Sequence, residues 1–298
     1  MISIPSIGSH KKTSPLGAHQ GDLPLRFLLK IWTCIVSILI FLIAITAGCA
    51  RYRPTLLINY TQEGKKITVE RIIEGDSPSW SPDGKKIVFR DHDGIWILDL
   101  ESKHQIFVSP LGSHPSWSPD GKNIAYAHKG ICLWDIETGN SNSLSPVGNH
   151  PKWFPDSDAL IFQHQGIWQI HVDGSNKKKV LDQGIPLSFA PDGTSLLIEF
   201  WDLERIHFFL AILNLSTGQL SKLVDGTKGS FSPDGYSVVY SQDGIWIYSS
   251  IKKGSTGILL DGYHPVWSPA GDKIVFTAQG FIWVMDAPYK TINQGESA

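Results

Sequence analysis

Histidine is the residue type with the most chemistry to offer in this chain, and six of its eleven copies fall in two recurring slots. His114, His150 and His264 each precede a proline. His92, His128 and His164 each stand two residues before a glycine. Imidazole changes charge near neutral pH, hydrogen-bonds in two roles and ligates metals. Six imidazoles at one level could act as bases, hold a metal, or form a polar rim that recognises a partner. They could also be turn residues carried along when a repeat was copied.

Other motifs offer less. Asp91-His92-Asp93-Gly94 starts like a calcium loop but lacks the later ligands and the closing glutamate, so it reads as a solvated turn. There is no Gly-x-Ser-x-Gly elbow, phosphate loop or His-Glu-x-x-His. Lys177-Lys178-Lys179 lies beside Gly174 and Asn176 and reads as an exposed hairpin.

A repeat sets the histidine slots. The phrase Ser79-Trp80-Ser81-Pro82-Asp83-Gly84 returns in six versions, centred on Trp80, Trp117, Trp153, Phe189, Phe231 and Trp267. Such a period marks a repeat architecture. Pro82-Asp83-Gly84 is turn chemistry. The runs 86–89, 95–100 and 105–108 read as strands after the opening strand 78–81. Four strands per copy, apolar on both faces and with no helix between copies, must be covered by the neighbouring sheet. The reading is an all-β, six-bladed β-propeller of four-stranded antiparallel blades. The last copy lacks a fourth strand, and residues 66–73 read as the N-terminal strand that closes the ring. Leu56-Leu57-Ile58-Asn59-Tyr60 is a further strand candidate without a place.

The ring locates the histidines. Loops after the second and fourth strands share one face, so all six should lie there. His114, His150 and His264 should lie near the channel, where the other copies hold Ser77, Pro186 and Lys228. Blades two and three are adjacent and blade six is two places away, which makes convergence on an ion hard. No metal and no cofactor is expected. Blade four is six residues longer. Trp201 and Arg205 in its extension are candidate interface anchors.

The aromatic-Ser-Pro-Asp-Gly phrase resembles the repeat of TolB-like propellers, in register over residues 66–288. WD-repeat propellers are the nearest alternative, matched only by Trp134-Asp135. The third, fourth and sixth copies depart from the pattern at Ser157, Ala190 and Ala270. Loss of the aspartate in the sixth implies that these aspartates shape turns and do not form a ligand ring.

Residues 31–50 are apolar or small, and Lys11, Lys12, Arg26 and Lys30 precede them. That order keeps the N-terminus cytoplasmic and sends the rest across a membrane. Ile45-Thr46-Ala47-Gly48-Cys49 resembles a bacterial lipoprotein signal, which implies lipidation of Cys49. An uncut anchor helix is the other reading. The division is therefore signal or anchor 1–49, linker 50–65, propeller 66–288 and tail 289–298. Residues 1–48 hold four basic residues and one acidic. Without them the chain has 22 basic against 27 acidic residues, which excludes a basic nucleic-acid footprint.

The expected function is a non-catalytic, membrane-tethered propeller outside the cytoplasm. It would bind an envelope protein or a peptidoglycan-associated partner, with His92, His114, His128, His150, His164, His264, Trp201 and Arg205 as contact candidates. The alternative is a hydrolase or lyase acting on polysaccharide or peptide at the histidine-bearing face.

Overall fold

A computed structural model describes residues 57–62, 65–259 and 261–288. Cys49, the apolar run and the tail 289–298 lie outside the described residues. Among the described residues, no helix is long and apolar enough to cross a membrane.

Six antiparallel sheets follow one another along the chain. Blades one to five span residues 76–109, 113–145, 149–181, 185–225 and 227–259. Blade six joins residues 263–286 to the early strand Lys65–Glu74, with Val69 opposite Met285 and Glu74 opposite Phe281. Leu57–Gln62 adds a fifth strand outside it.

Sequence dictates the packing. Ile87, Val88 and Phe89 are consecutive, so they point to alternate faces, and all three are buried. Val88, Ile95 and Ile97 of blade one pack with Trp117, Ile124 and Tyr126 of blade two. Trp80, Ile87 and Phe89 pack the other way, with Val275, Ile282 and Val284 of blade six. Tryptophans also tie blades through hydrogen bonds. The indole of Trp80 donates to the Val266 carbonyl at 3.1 Å, and that of Trp153 to the Ser116 carbonyl at 3.0 Å.

The repeated phrase folds as a turn. Ser81 Oγ donates to Asp83 at 2.6 Å and accepts from the Lys86 N–H at 2.8 Å, while the Lys85 N–H donates to Asp83. In blade six, Asp272 replaces the missing aspartate and accepts from Ser268 Oγ at 2.8 Å. These turns lie at the sheet edge opposite the histidines.

Glycine matters most where backbones meet. Gly94 has φ of 139°, and a Cβ there would lie 2.0 Å from the Ser109 carbonyl oxygen. Gly94→Ala is expected to cost about 2–3 kcal/mol, because a backbone atom cannot give way as a side chain would. A fall in the urea midpoint at constant slope is the measurement.

Candidate functional site in the channel mouth

The first strand of each blade lines the channel, and one slot at its mouth end holds Ser77, His114, His150, Pro186, Lys228 and His264. Five of these six have left-handed backbone, with φ of 52°, 52°, 52°, 43° and 53° for Ser77, His114, His150, Lys228 and His264. Proline cannot adopt that conformation, so Pro186 is the exception. Pairing with the second strand is interrupted there, between Ser113 and Ser116 in blade two and between Asn149 and Lys152 in blade three. A bulge of this kind re-aims a side chain, and left-handed backbone outside glycine persists only where its surroundings hold it.

The slot side chains enclose a cavity of about 340 Å³. Its walls are prolines, serines, Trp117, Trp153 and Phe189, and its ionisable groups are His114, His150, His264, Lys152 and Lys228. No carboxylate lines it among the described residues.

His114 and His150 lie ring against ring, with centroids 3.7 Å apart. Asn149 Oδ1 accepts from the His150 backbone N–H at 2.9 Å and faces His114 Nδ1 at 2.9 Å. A backbone N–H can only donate, so the atom between them is oxygen and His114 Nδ1 carries the proton. Its Nε2 is then an acceptor. The Nδ1 atoms of His150 and His264 are buried without a hydrogen-bond partner.

Burial, then the Lys152 ammonium, lowers His114 to about 4. Burial and the adjacent His114 lower His150 to about 2. Burial and Lys228 lower His264 to about 3. All three are neutral imidazoles at pH 7. Burial, then the charge of Lys228, lowers Lys152 to about 8. Among the described residues no carboxylate pairs with Lys152. Lys228 differs. Its ammonium meets Glu199 at 3.2 Å and its N–H donates to the same carboxylate at 2.8 Å, which also accepts from the Thr227 hydroxyl. Glu199 is buried behind the cavity wall.

The site is therefore a cationic mouth in a chain of net negative charge. It can attract an anion, hydrogen-bond hydroxyl groups and offer an amine near its neutral form. Among the described residues, its histidines do not bring three ligand atoms within 4.8 Å of one another. Among the described residues, only Asp91, His92 and Asp93 bring three ligand atoms within 4.8 Å of one another. Asp91 there already accepts from the N–H groups of Asp93 and Gly94 and from the Trp96 indole.

The expected residues divide into three groups. His114, His150 and His264 meet at the mouth, and the ring spacing does not keep the first two apart. His92, His128 and His164 lie at the same sheet edge, in second-to-third-strand hairpins away from the cavity lining. Trp201 and Arg205 sit on the blade-four hairpin, with Trp201 edge-on to Phe208. Sequence reasoning did not assign Lys152, Lys228, Glu199 or Asn149 to a site. Lys152 had a visible signal: it stands where other copies carry Ser79, Ser116, Ser188 and Ser230.

No family model matches the chain, and no curated protein matches it in sequence. Solved structures share its fold. The gluconolactonase XC5397 of Xanthomonas campestris superposes with a TM-score of 0.62 at 13% identity, over 80% of this chain and 100% of that one. The oligogalacturonate lyase of Vibrio parahaemolyticus gives 0.54 at 14% identity, over 78% and 97%. TolB of Acinetobacter baumannii gives 0.52 at 19% identity, over 73% of this chain and 55% of TolB. The expectation of a non-catalytic module is corrected by these neighbours, since a lyase and a lactonase use the same fold. In fold, the chain is a six-bladed β-propeller that superposes on TolB, the lyase and the gluconolactonase.

Proposed function

We infer that the channel mouth binds an acidic saccharide at the cell envelope. The observation that carries this reading is the Lys152 ammonium, unpaired among the described residues, in a cavity with no carboxylate among the described residues of its lining. An unpartnered enclosed cation is costly unless an anion meets it. The neutral imidazoles supply hydrogen bonds for hydroxyl groups, and the proline and aromatic walls suit the apolar faces of sugar rings. The size lies within the roughly 300–1,000 Å³ of small-molecule sites. An oligogalacturonate lyase among the fold neighbours acts on an oligomer of an acidic sugar, which agrees with this chemistry. Residues 1–49 tether the propeller outside the cytoplasm, through lipid on Cys49 or an uncut helix. The apolar run 31–50 and the basic residues before it support this part.

Calorimetric titration with oligogalacturonate and its methyl ester is the direct test. Binding of the acid alone, weakened by salt, is the expected result. Equal affinity for acid and ester, or none for either, would sink the reading.

A second reading, catalysis on the bound acid, is favoured by the lowered Lys152 amine. A group with its pKa near ambient pH exchanges protons readily, and the Lys152 ammonium, once a bound carboxylate restores its proton, is suited to giving it to a leaving oxygen. Release of an unsaturated sugar from oligogalacturonate, lost in Lys152→Met, would establish it.

A further inference from the structure

Six of the large apolar side chains left exposed lie at the channel-mouth edge: Leu111, Trp201, Leu203, Ile206, Phe208 and Tyr263. Four of them form the blade-four hairpin, where Leu203 is 83% and Ile206 74% exposed. Ile206 has φ of 57°. A β-branched residue in that conformation is a backbone outlier, and glycine or asparagine would hold the turn at less cost. Solvent exposure also favours a polar residue there. Two local preferences are thus overridden by an apolar side chain at a tip. Glu204 and Arg205 stand between Leu203 and Ile206, and long charged side chains such as arginine keep their charge in water while their stems lie on apolar surroundings.

The path of the chain gives this tip an occupant. Leu57 pairs with Glu70, and the strand Lys65–Glu74 runs on to the mouth edge, where Gly75 leads into blade one. The chain therefore enters its first strand from the mouth side. Leu57 is seven residues beyond Ala50, the end of the apolar run, and seven residues of chain reach at most about 25 Å. A membrane tether this short leaves the mouth face, with its apolar hairpin, within reach of the bilayer.

We propose that the blade-four hairpin docks into the lipid interface of the membrane that holds the tether, through Trp201, Leu203, Ile206 and Phe208. This rests on the membrane-tether reading above. Tryptophan and arginine beside aliphatic residues are the composition that settles at a membrane interface. Docking would set the propeller's orientation, with its channel opening toward the membrane surface.

The full-length chain is expressed in bacterial membranes with Leu203→benzoylphenylalanine, and a second variant carries the photoprobe at Ile251 on the opposite edge. After a high-salt wash, illumination is followed by mass spectrometry. Lipid adducts at position 203, absent at 251 and lost when Trp201→Ser and Phe208→Ser are added, are expected. Chain in the washed membrane without lipid adducts at 203 overturns the docking and leaves the tether standing. Adducts at 203 with another protein, or with a second copy of this chain, in place of lipid overturn it too. Chain absent from the membrane fraction overturns the tether and the docking together.

Discussion

Lys152→Met is expected to bind the acid no longer and yet to be more stable than the parent by about 3 kcal/mol at pH 7. Lys152 titrates at about 8 in the fold, against an ordinary 10.5. Between these values the unfolded chain keeps a proton that the folded chain gives up, so the parent's stability rises with pH across that window. Below pH 8 the full deficit is present. Methionine has a similar length and no charge to desolvate, so the substitution removes the deficit at every pH. Urea midpoints at pH 7 and 10.5 measure it. The parent should gain on the variant as pH rises, and equal midpoints at pH 7 would show that the amine is not held at a disadvantage. The ligand tests the same charge from the other side. A carboxylate beside Lys152 restores its proton, so binding at pH 8.5 should take up protons from buffer. Calorimetry in two buffers of different ionisation heat reads this.

The second large effect is acid sensitivity. His114, His150 and His264 titrate at about 4, 2 and 3 in the fold, below their ordinary 6.5. As pH falls through 6.5 the unfolded chain binds protons at these positions and the folded chain does not. Stability is therefore present above pH 6.5 and lost on the way down. At pH 5 each imidazole forfeits about 2 kcal/mol, and the three together about 4–6 kcal/mol. That is a large share of the 5–15 kcal/mol that holds a typical domain. His150→Gln with His264→Gln should flatten the profile between pH 7 and 5. An unchanged profile in that double variant would place the acid sensitivity elsewhere. Hydrogen-bonded aspartates such as Asp83, whose carboxyl is held below its ordinary 3.8 first by Ser81 and then by the Lys85 N–H, act only at lower pH. The two causes separate along the pH axis.

The two effects share one origin. The mouth is assembled from imidazoles that resist protonation and an ammonium with no carboxylate beside it among the described residues, which cost stability in acid and at neutral pH respectively and suit the site to an anion. Stability given up at a binding site is a common arrangement.

Much of this was legible in the residues. The phrase around Trp80 returns in register, and turn chemistry plus strand period follow from local sterics. Ile87-Val88-Phe89 is apolar on both faces, so stacked sheets follow from burial alone. The slot of His114, His150 and His264 could be located at the channel because a repeat fixes where each copy's first strand begins. Leu57–Gln62 could not be placed, since a single strand carries no information about its partner. Lys152 was hidden for another reason. A lysine two residues after a histidine reads as a surface charge until its neighbours are known.

The sequence by itself determined the blade, the number of blades and the face on which the histidines would stand, because each depends on contacts within about forty residues. Tertiary structure alone decided which of them meet. Left-handed bulges turn His114, His150, Lys228 and His264 into one channel, and Glu199 of blade four claims Lys228 of blade five. With Lys228 paired, Lys152 is the cation that faces the cavity without a counter-charge among the described residues. Such effects depend on distances between residues far apart in the chain, and on the water that closure of the ring excludes.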